Sequence, residues 1–177
     1  VAAEDSRPPV TLSEKNLLWK TGLPFGVSSP VIWNDRIFLT GFTDSTKELL
    51  TLCLDRKLGN ILWKNAVIPD TVEKYHAIAS PAQGTVTTDG ERVVAYFGSC
   101  GLVCYDVEGR LLWRYRVACN RLTYGHATSP VISGDKVIYF NDAGPKRFLV
   151  ALNKFTGMPV WRKDFPSPNV KGIPVSS

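Results

Sequence analysis

Hydrophobic and polar residues alternate along most of this chain in short runs, and turn residues such as Gly, Pro, Asn and Asp separate the runs. This alternation is typical of β-strands that bury one face. Strand-like runs that end in tryptophan and a basic residue recur about every 47 residues, a period typical of four-stranded propeller blades. The tryptophans of these runs are Trp19, Trp63, Trp113 and Trp161. The pattern therefore predicts an all-β repeat protein.

Each repeat contains the same elements in the same order. The segment Pro30–Leu39 aligns without a gap on Pro130–Tyr139, and both indicate a strand, a polar turn and a second strand. The middle copy has an insertion after Pro81, so we expect its inner strand to be irregular. A third strand and a glycine turn then precede the tryptophan strand in every copy. We interpret three antiparallel blades at about residues 28–66, 79–118 and 128–165.

The ends of the pattern are uneven. After a lead at residues 1–15, residues 16–20 match an outer strand without its inner strands. Residues 166–177 match the start of a further blade or a tail, since Val175-Ser176-Ser177 resembles Val27-Ser28-Ser29. The expected fold is a partial β-propeller of about three blades plus one orphan outer strand. Because closed propellers have about four to eight blades, we expect a piece of a longer propeller or self-association.

Repeated polar and sulfur positions have structural interpretations. Asp55, Asp106 and Asn153 each close a third strand, where a side-chain oxygen can cap the following turn. Cys53 and Cys104 occupy the repeat position of an alanine, so we expect buried free thiols. Spacing leaves Cys100 and Cys119 as the one pair of cysteines that a disulfide could join.

Composition excludes several classes of protein. The chain has 177 residues, 44% of them hydrophobic, and a formal net charge of +5. Its Lys and Arg residues are scattered over strand ends and turns, which argues against nucleic-acid binding. No apolar run approaches the roughly 20 residues of a membrane span. The first residues, Val1-Ala2-Ala3, show no signal segment, so such a segment is absent or already removed.

The motif Ala-x-Asp-x-x-x-Gly-x-x-x-Trp occurs in three copies, at Cys53–Trp63, Cys104–Trp113 (one residue shorter) and Ala151–Trp161. It resembles the tryptophan-docking motif of the PQQ-like propeller repeat family, and the resemblance covers nearly the whole chain. In that family the tryptophan packs between neighbouring blades. The resemblance therefore implies girdle positions, largely buried at blade joints, for Trp19, Trp63, Trp113 and Trp161.

The family resemblance implies two functional hypotheses. Non-catalytic members include the lipoprotein of the outer-membrane assembly machinery and other envelope propellers, which implies a periplasmic or extracellular scaffold that binds protein or the rest of its own propeller. On this hypothesis we expect no catalytic residue, no cofactor and no metal. Quinoprotein dehydrogenases bind PQQ with calcium against adjacent cysteines, and this chain has no Cys-Cys pair. A segment of such a dehydrogenase is the alternative.

Candidate binding residues lie in the loops that share one face of a propeller. The two histidines, His76 and His126, both fall there and allow two interpretations: a metal or acid–base pair, or loop histidines that hydrogen-bond the backbone. The loops that join second and third strands add Asp44, Cys100 and Asn141. The candidates for binding a partner are Phe25, Tyr75, His76, Tyr124, His126, Asp142, Lys146 and Arg147.

Overall fold

The computed structural model describes residues 11, 13–117, 126–142 and 147–166. In these residues, twelve strands form three antiparallel four-stranded sheets, each with its strands in sequential order. The helical structure of this part of the chain is one 3-10 turn, Glu14–Asn16. The prediction of an all-β fold with three four-stranded propeller blades is confirmed.

The strands of each blade follow one another along the chain. The first blade contains β1 (Val31–Trp33), β2 (Arg36–Thr43), β3 (Glu48–Asp55) and β4 (Ile61–Val67). The second contains β5 (Thr87–Thr88), β6 (Arg92–Phe97), β7 (Gly101–Asp106) and β8 (Leu111–Tyr115). The third contains β9 (Val131–Ser133), β10 (Lys136–Asn141), β11 (Arg147–Asn153) and β12 (Pro159–Phe165). The inner strand of the second blade, β5, is the shortest.

The turn between the third and fourth strands has one construction in all three blades. The Asp55 carboxylate accepts hydrogen bonds from the backbone N–H groups of Lys57 and Leu58 at 2.8 and 2.7 Å. Asp106 and Asn153 accept equivalent backbone bonds in their own turns. The capping role predicted for these three residues is therefore present at every turn.

A small side chain faces the tryptophan across each outer strand pair. Cys53, Cys104 and Ala151 pair with Trp63, Trp113 and Trp161, and the register shifts directly after each pair. Both thiols are buried and form no disulfide, as predicted. Burial raises the pKa of Cys53 to about 11 and the pKa of Cys104 to about 12. Cys119 lies outside the described residues, so its pairing with Cys100 stays a prediction.

The core consists of two layers between successive blades, and β6 contributes to both. Its Val93, Ala95 and Phe97 pack toward the first blade, whereas Val94 and Tyr96 pack toward the third. Successive strand residues point to opposite faces, so a sheet that is buried on both faces requires a continuous apolar run. This explains why the sequence Val93–Phe97 lacks the polar alternation of the outer strands.

The tryptophans join each blade to the next. The indole N–H of Trp63 donates to the carbonyl of Val107, and that of Trp113 donates to Lys154, at 2.9 and 2.8 Å. A Cβ on the turn glycines Gly109 and Gly157 would lie 2.8 and 2.6 Å from these two rings, respectively. Glycine is therefore required at the turns because the indole occupies the space of a side chain.

Two predictions about the ends of the repeat are wrong. Residues 17–24 form no strand, because an outer strand needs the third strand of its own blade and none precedes it in the described chain. Trp19 nevertheless docks as predicted: its N–H donates to the carbonyl of Arg56 at 2.9 Å. Trp161 is 41% exposed rather than largely buried, because no turn of a following blade covers it in the described residues.

The segment around Trp19 covers the outer face of the first blade instead. Thr21 donates to the carbonyl of Gly59, and Pro24 lies against Gly41 of β2. Phe25 forms a β-bridge with Phe42. Leu50, Leu52 and Leu54 of β3 are consequently buried on this face.

Candidate functional site

The loop face is defined here by two kinds of loops that lie at the same end of the blades. One kind joins the second and third strands and includes residues 44–47, 98–100 and 142 of the described chain. The other kind is the linkers between blades, which are described at residues 68–86, 116–117 and 126–130. The strands hold these loops in a fixed order, so side chains from neighbouring blades meet at this end.

Near the first blade, an aromatic cluster combines two predicted residues. Tyr75 packs edge-to-face on Phe42 with ring centroids 5.8 Å apart, and its hydroxyl donates to Asp44 at 3.3 Å. Lys47 also binds Asp44, at 2.6 Å, and lowers the pKa of that carboxyl. Burial raises the pKa of Tyr75. Phe25, which forms a β-bridge with Phe42, is 52% exposed.

Between the linkers, His126 forms a buried hydrogen-bonded pair with Glu73. The distance from Nδ1 of His126 to Oε2 of Glu73 is 2.6 Å, and the His126 backbone N–H donates to Oε1 at 3.2 Å. Both side chains are almost fully buried. The pair joins the linker before the second blade to the linker before the third. Because both side chains are buried, this contact holds the two linkers together.

The second blade is shaped to receive this pair. A Cβ at Gly98 would lie 1.8 Å from Oε2 of Glu73, so only glycine fits there. The hydroxyl of Ser99 accepts the backbone N–H of Glu73 at 2.8 Å. The ring of Tyr96 packs edge-to-face on His126 at 6.2 Å. The second blade therefore contacts both linkers at this point: Ser99 holds Glu73, Tyr96 packs on His126, and Gly98 leaves room for the pair.

His76, by contrast, is exposed, and its Nδ1 accepts the backbone N–H of Ile78 at 3.4 Å. The two histidines thus have different partners and different exposure. His76 matches the interpretation of a loop histidine that hydrogen-bonds the backbone, whereas the ring of His126 binds a carboxylate. The described contacts do not join the two histidines to each other.

Two further predicted residues contact each other in the third blade. Asp142 and Arg147 form an ion pair, and the Arg147 guanidinium lies 5.8 Å from the centroid of the Phe140 ring. This pair is separate from the Tyr75 cluster in the described contacts. Tyr124 and Lys146 lie outside the described residues.

Two residues with important contacts were missed by the sequence analysis. Glu73 has no repeat counterpart and no motif around it, so no signal in a single sequence marks it. Trp33 packs against Gly90 of the second blade, where a Cβ would lie 2.4 Å from its ring. Gly90 has a positive φ of 90°, as the other turn glycines do, and this conformation favours glycine. Trp33 lies at the β1–β2 turn and Gly90 at the equivalent β5–β6 turn of the next blade. This Trp and Gly at matching repeat positions were the sequence signal that could have predicted a second contact between the two blades.

The described residues do not fit the metal site of a quinoprotein. Among them, no group of three His, Cys, Asp or Glu side chains is placed to hold a metal ion. The buried carboxylate, Glu73, is already bound to His126.

The blades, the tryptophan joints and the capped glycine turns define a propeller of the PQQ-like class. A family model described as "Outer membrane protein assembly factor BamB" matches residues 10–144. The chain belongs to this family. No curated protein matches its sequence. In the described residues, no helix has the length and apolar character needed to cross a membrane.

Solved structures share the fold at low sequence identity. A europium-containing methanol dehydrogenase has a TM-score of 0.61 at 14% identity, over 81% of this chain and 25% of that one. A quinohemoprotein alcohol dehydrogenase from Pseudomonas putida has a TM-score of 0.60 at 18% identity, over 80% and 21%. BamB from Moraxella catarrhalis has a TM-score of 0.53 at 18% identity, over 82% and 42%. The chain thus spans less than half of each of these structures, and the likeness concerns the fold.

Proposed function

We propose that this chain is part of a non-catalytic propeller of the bacterial cell envelope and that it binds a protein partner through the loop face. Membership of the BamB family supports the envelope location and the scaffold role. The dehydrogenase alternative has only the shared fold in its favour, because its structural relatives are 14% and 18% identical.

The observation that carries the proposal is the chemistry of the loop face. Its ionisable pair, Glu73 with His126, is sealed from solvent. Its most exposed apolar residues are Ile78, at 81%, and Ile68, at 68%, and exposed polar side chains such as those of His76 and Lys47 lie on the same face. Apolar side chains near a polar rim are typical of protein-binding surfaces. The face therefore offers an apolar contact area with polar groups beside it.

A crosslinking experiment tests which face binds. A photo-crosslinking amino acid is placed at Ile78 on the loop face or at Leu58, which is 66% exposed in the β3–β4 turn at the opposite end. The complete protein is irradiated in its native cells. We expect a discrete high-mass adduct from position 78 and none from position 58. Adducts of equal yield at both positions, or none at position 78, would contradict the proposal.

A further inference from the structure

A cleft of about 360 Å³ opens on the loop face between the first and second blades. One wall is the start of the linker after β4, at residues 67–71, and the floor includes Val103. The turn residues Ser99 and Cys100 form the second wall, and Arg114 and Arg116, at the end of β8, form the third. The cleft therefore combines an apolar surface with two cationic side chains.

Arg114 and Arg116 lack the carboxylate partners that most arginines of the described chain have; Arg56, which also has none, donates to the carbonyl of Asn34 at 3.3 Å. Within the described chain, five arginines form ion pairs with carboxylates: Arg36, Arg92, Arg110, Arg147 and Arg162. Arg114 and Arg116 are exposed and form no ion pair with any described carboxylate, including Asp70 at the rim of the same cleft. Two guanidinium groups are thus available where the cleft opens.

Comparison of the three repeats shows that this charge pattern is specific to the second blade. One and three residues after the tryptophan, the third blade has Arg162 and Asp164, which bind each other at 2.6 Å. The first blade has Lys64 and Ala66 there. Arg114 lies near the end of β8 and Arg116 directly follows the last residue of this strand. The second blade thus has two like charges, which repel each other, where the third blade has an ion pair. A bound anion would remove this repulsion.

We propose that the cleft binds an acidic segment of the protein partner, with a carboxylate between Arg114 and Arg116. The inference rests on the proposed function and specifies the chemistry of the partner. Guanidinium groups bind carboxylates in a bidentate geometry. The apolar wall, Val67 and Ile68, accommodates an aliphatic side chain next to the acidic one. The ligand is thus a segment in which acidic and aliphatic residues adjoin.

Peptide binding to the complete protein tests the site. The probe is a fluorescein-labelled peptide of alternating Glu and Leu, and its matched control has Gln in place of Glu. Fluorescence anisotropy should show binding of the Glu peptide about tenfold tighter than the Gln peptide, and added salt should weaken it. Equal affinities for the two peptides would overturn the proposal.

Variants locate the binding to the two arginines. Arg116→Asp recreates the self-neutralised pair of the third blade and should reduce affinity about tenfold or more, as should the double change Arg114→Gln with Arg116→Gln. Lys64→Gln, at the position of the first blade that matches Arg114, is the control and should leave affinity unchanged. Thermal melting confirms that each variant is folded. Unchanged affinity in both arginine variants would place the peptide elsewhere and overturn the proposal.

The outcomes separate this inference from the proposed function. If position 78 gives an adduct but the Glu peptide does not bind, the loop face still binds a partner and the acidic-segment proposal fails. If the Glu and Gln peptides bind equally well and inorganic phosphate displaces them, the cleft is a small-anion site and the proposal fails. Binding that depends on both arginines and on the peptide carboxylates supports it.

Discussion

At the scale of single residues, the joint tryptophans contribute most where a turn glycine covers them. Trp113 is 7% exposed and donates to Lys154, whereas Trp161 is 41% exposed. Trp113→Ala should lower the free energy of unfolding by about 3–5 kcal/mol, because it leaves a cavity in a packed joint. Trp161→Ala should lower it by clearly less. Urea denaturation of both variants measures the difference, and equal losses would contradict the joint role.

The buried thiols give a prediction about alkaline pH. Burial raises the pKa of Cys104 from 9.0 to about 12, so the folded protein keeps the thiol protonated where the unfolded chain releases the proton. This contribution to stability is complete below pH 9 and is lost as the pH rises toward 12. Cys104→Ala should therefore lose less stability than the wild type between pH 8 and pH 10.5.

Alanine is a suitable replacement because Ala151 occupies the same repeat position in the third blade. Urea midpoints for the wild type and Cys104→Ala at the two pH values provide the measurement. A parallel decrease in both proteins would show that the thiol does not titrate as its burial requires.

At the scale of elements, local patterns explain which parts of the fold could be predicted. Alternation and the Asp and Gly turns mark the strands, because each signal lies within a few residues. The prediction of an outer strand at residues 16–20 is wrong because a strand also needs a neighbouring strand to pair with, and the local sequence pattern does not show whether one is present. Trp19 docks without it, since docking needs only the turn at Gly59.

The sequence predicted which face of the propeller carries the candidate site, but not the contacts between its side chains. Propeller topology placed the loops together, but the contact of Glu73 with His126 joins two non-repeated linkers whose paths depend on the whole assembly. Tyr75 and Asp44 were each assigned to the face, yet their hydrogen bond depends on the position of Lys47 and Phe42. Repeats predict repeated features, and the linkers are the part of this chain that does not repeat.

The Glu73–His126 pair should stabilise the arrangement of the linkers. Glu73→Leu leaves the imidazole of His126 without its buried partner and should cost about 3–5 kcal/mol. The double variant Glu73→Leu with His126→Leu should recover part of this loss, because no ionisable group is then left buried alone. Urea denaturation of both single variants and the double variant gives the coupling energy. Additive losses would show that the two side chains act independently.

At the scale of the whole molecule, the two outer blades differ in how their open faces are covered. Residues 17–25 cover the first blade and bury its leucines. On the third blade, by contrast, Trp161 has no covering turn in the described residues and is 41% exposed. An uncovered apolar side of a sheet is a site for association. The asymmetry therefore points to the third blade as the part of this chain that packs on another surface.

We accordingly predict that the purified 177-residue chain self-associates through the third blade. Trp161→Lys places a charge in the exposed apolar surface and should shift the mass measured by sedimentation equilibrium toward that of the monomer. Leu18→Lys is the matched control, because Leu18 is 90% exposed at the opposite side of the molecule and should not change the mass. Neither change removes a buried side chain, so the melting temperature should stay close to that of the wild type. A wild-type chain that remains monomeric at high concentration would contradict the prediction, and a Leu18→Lys variant that dissociates instead would place the association on the first blade.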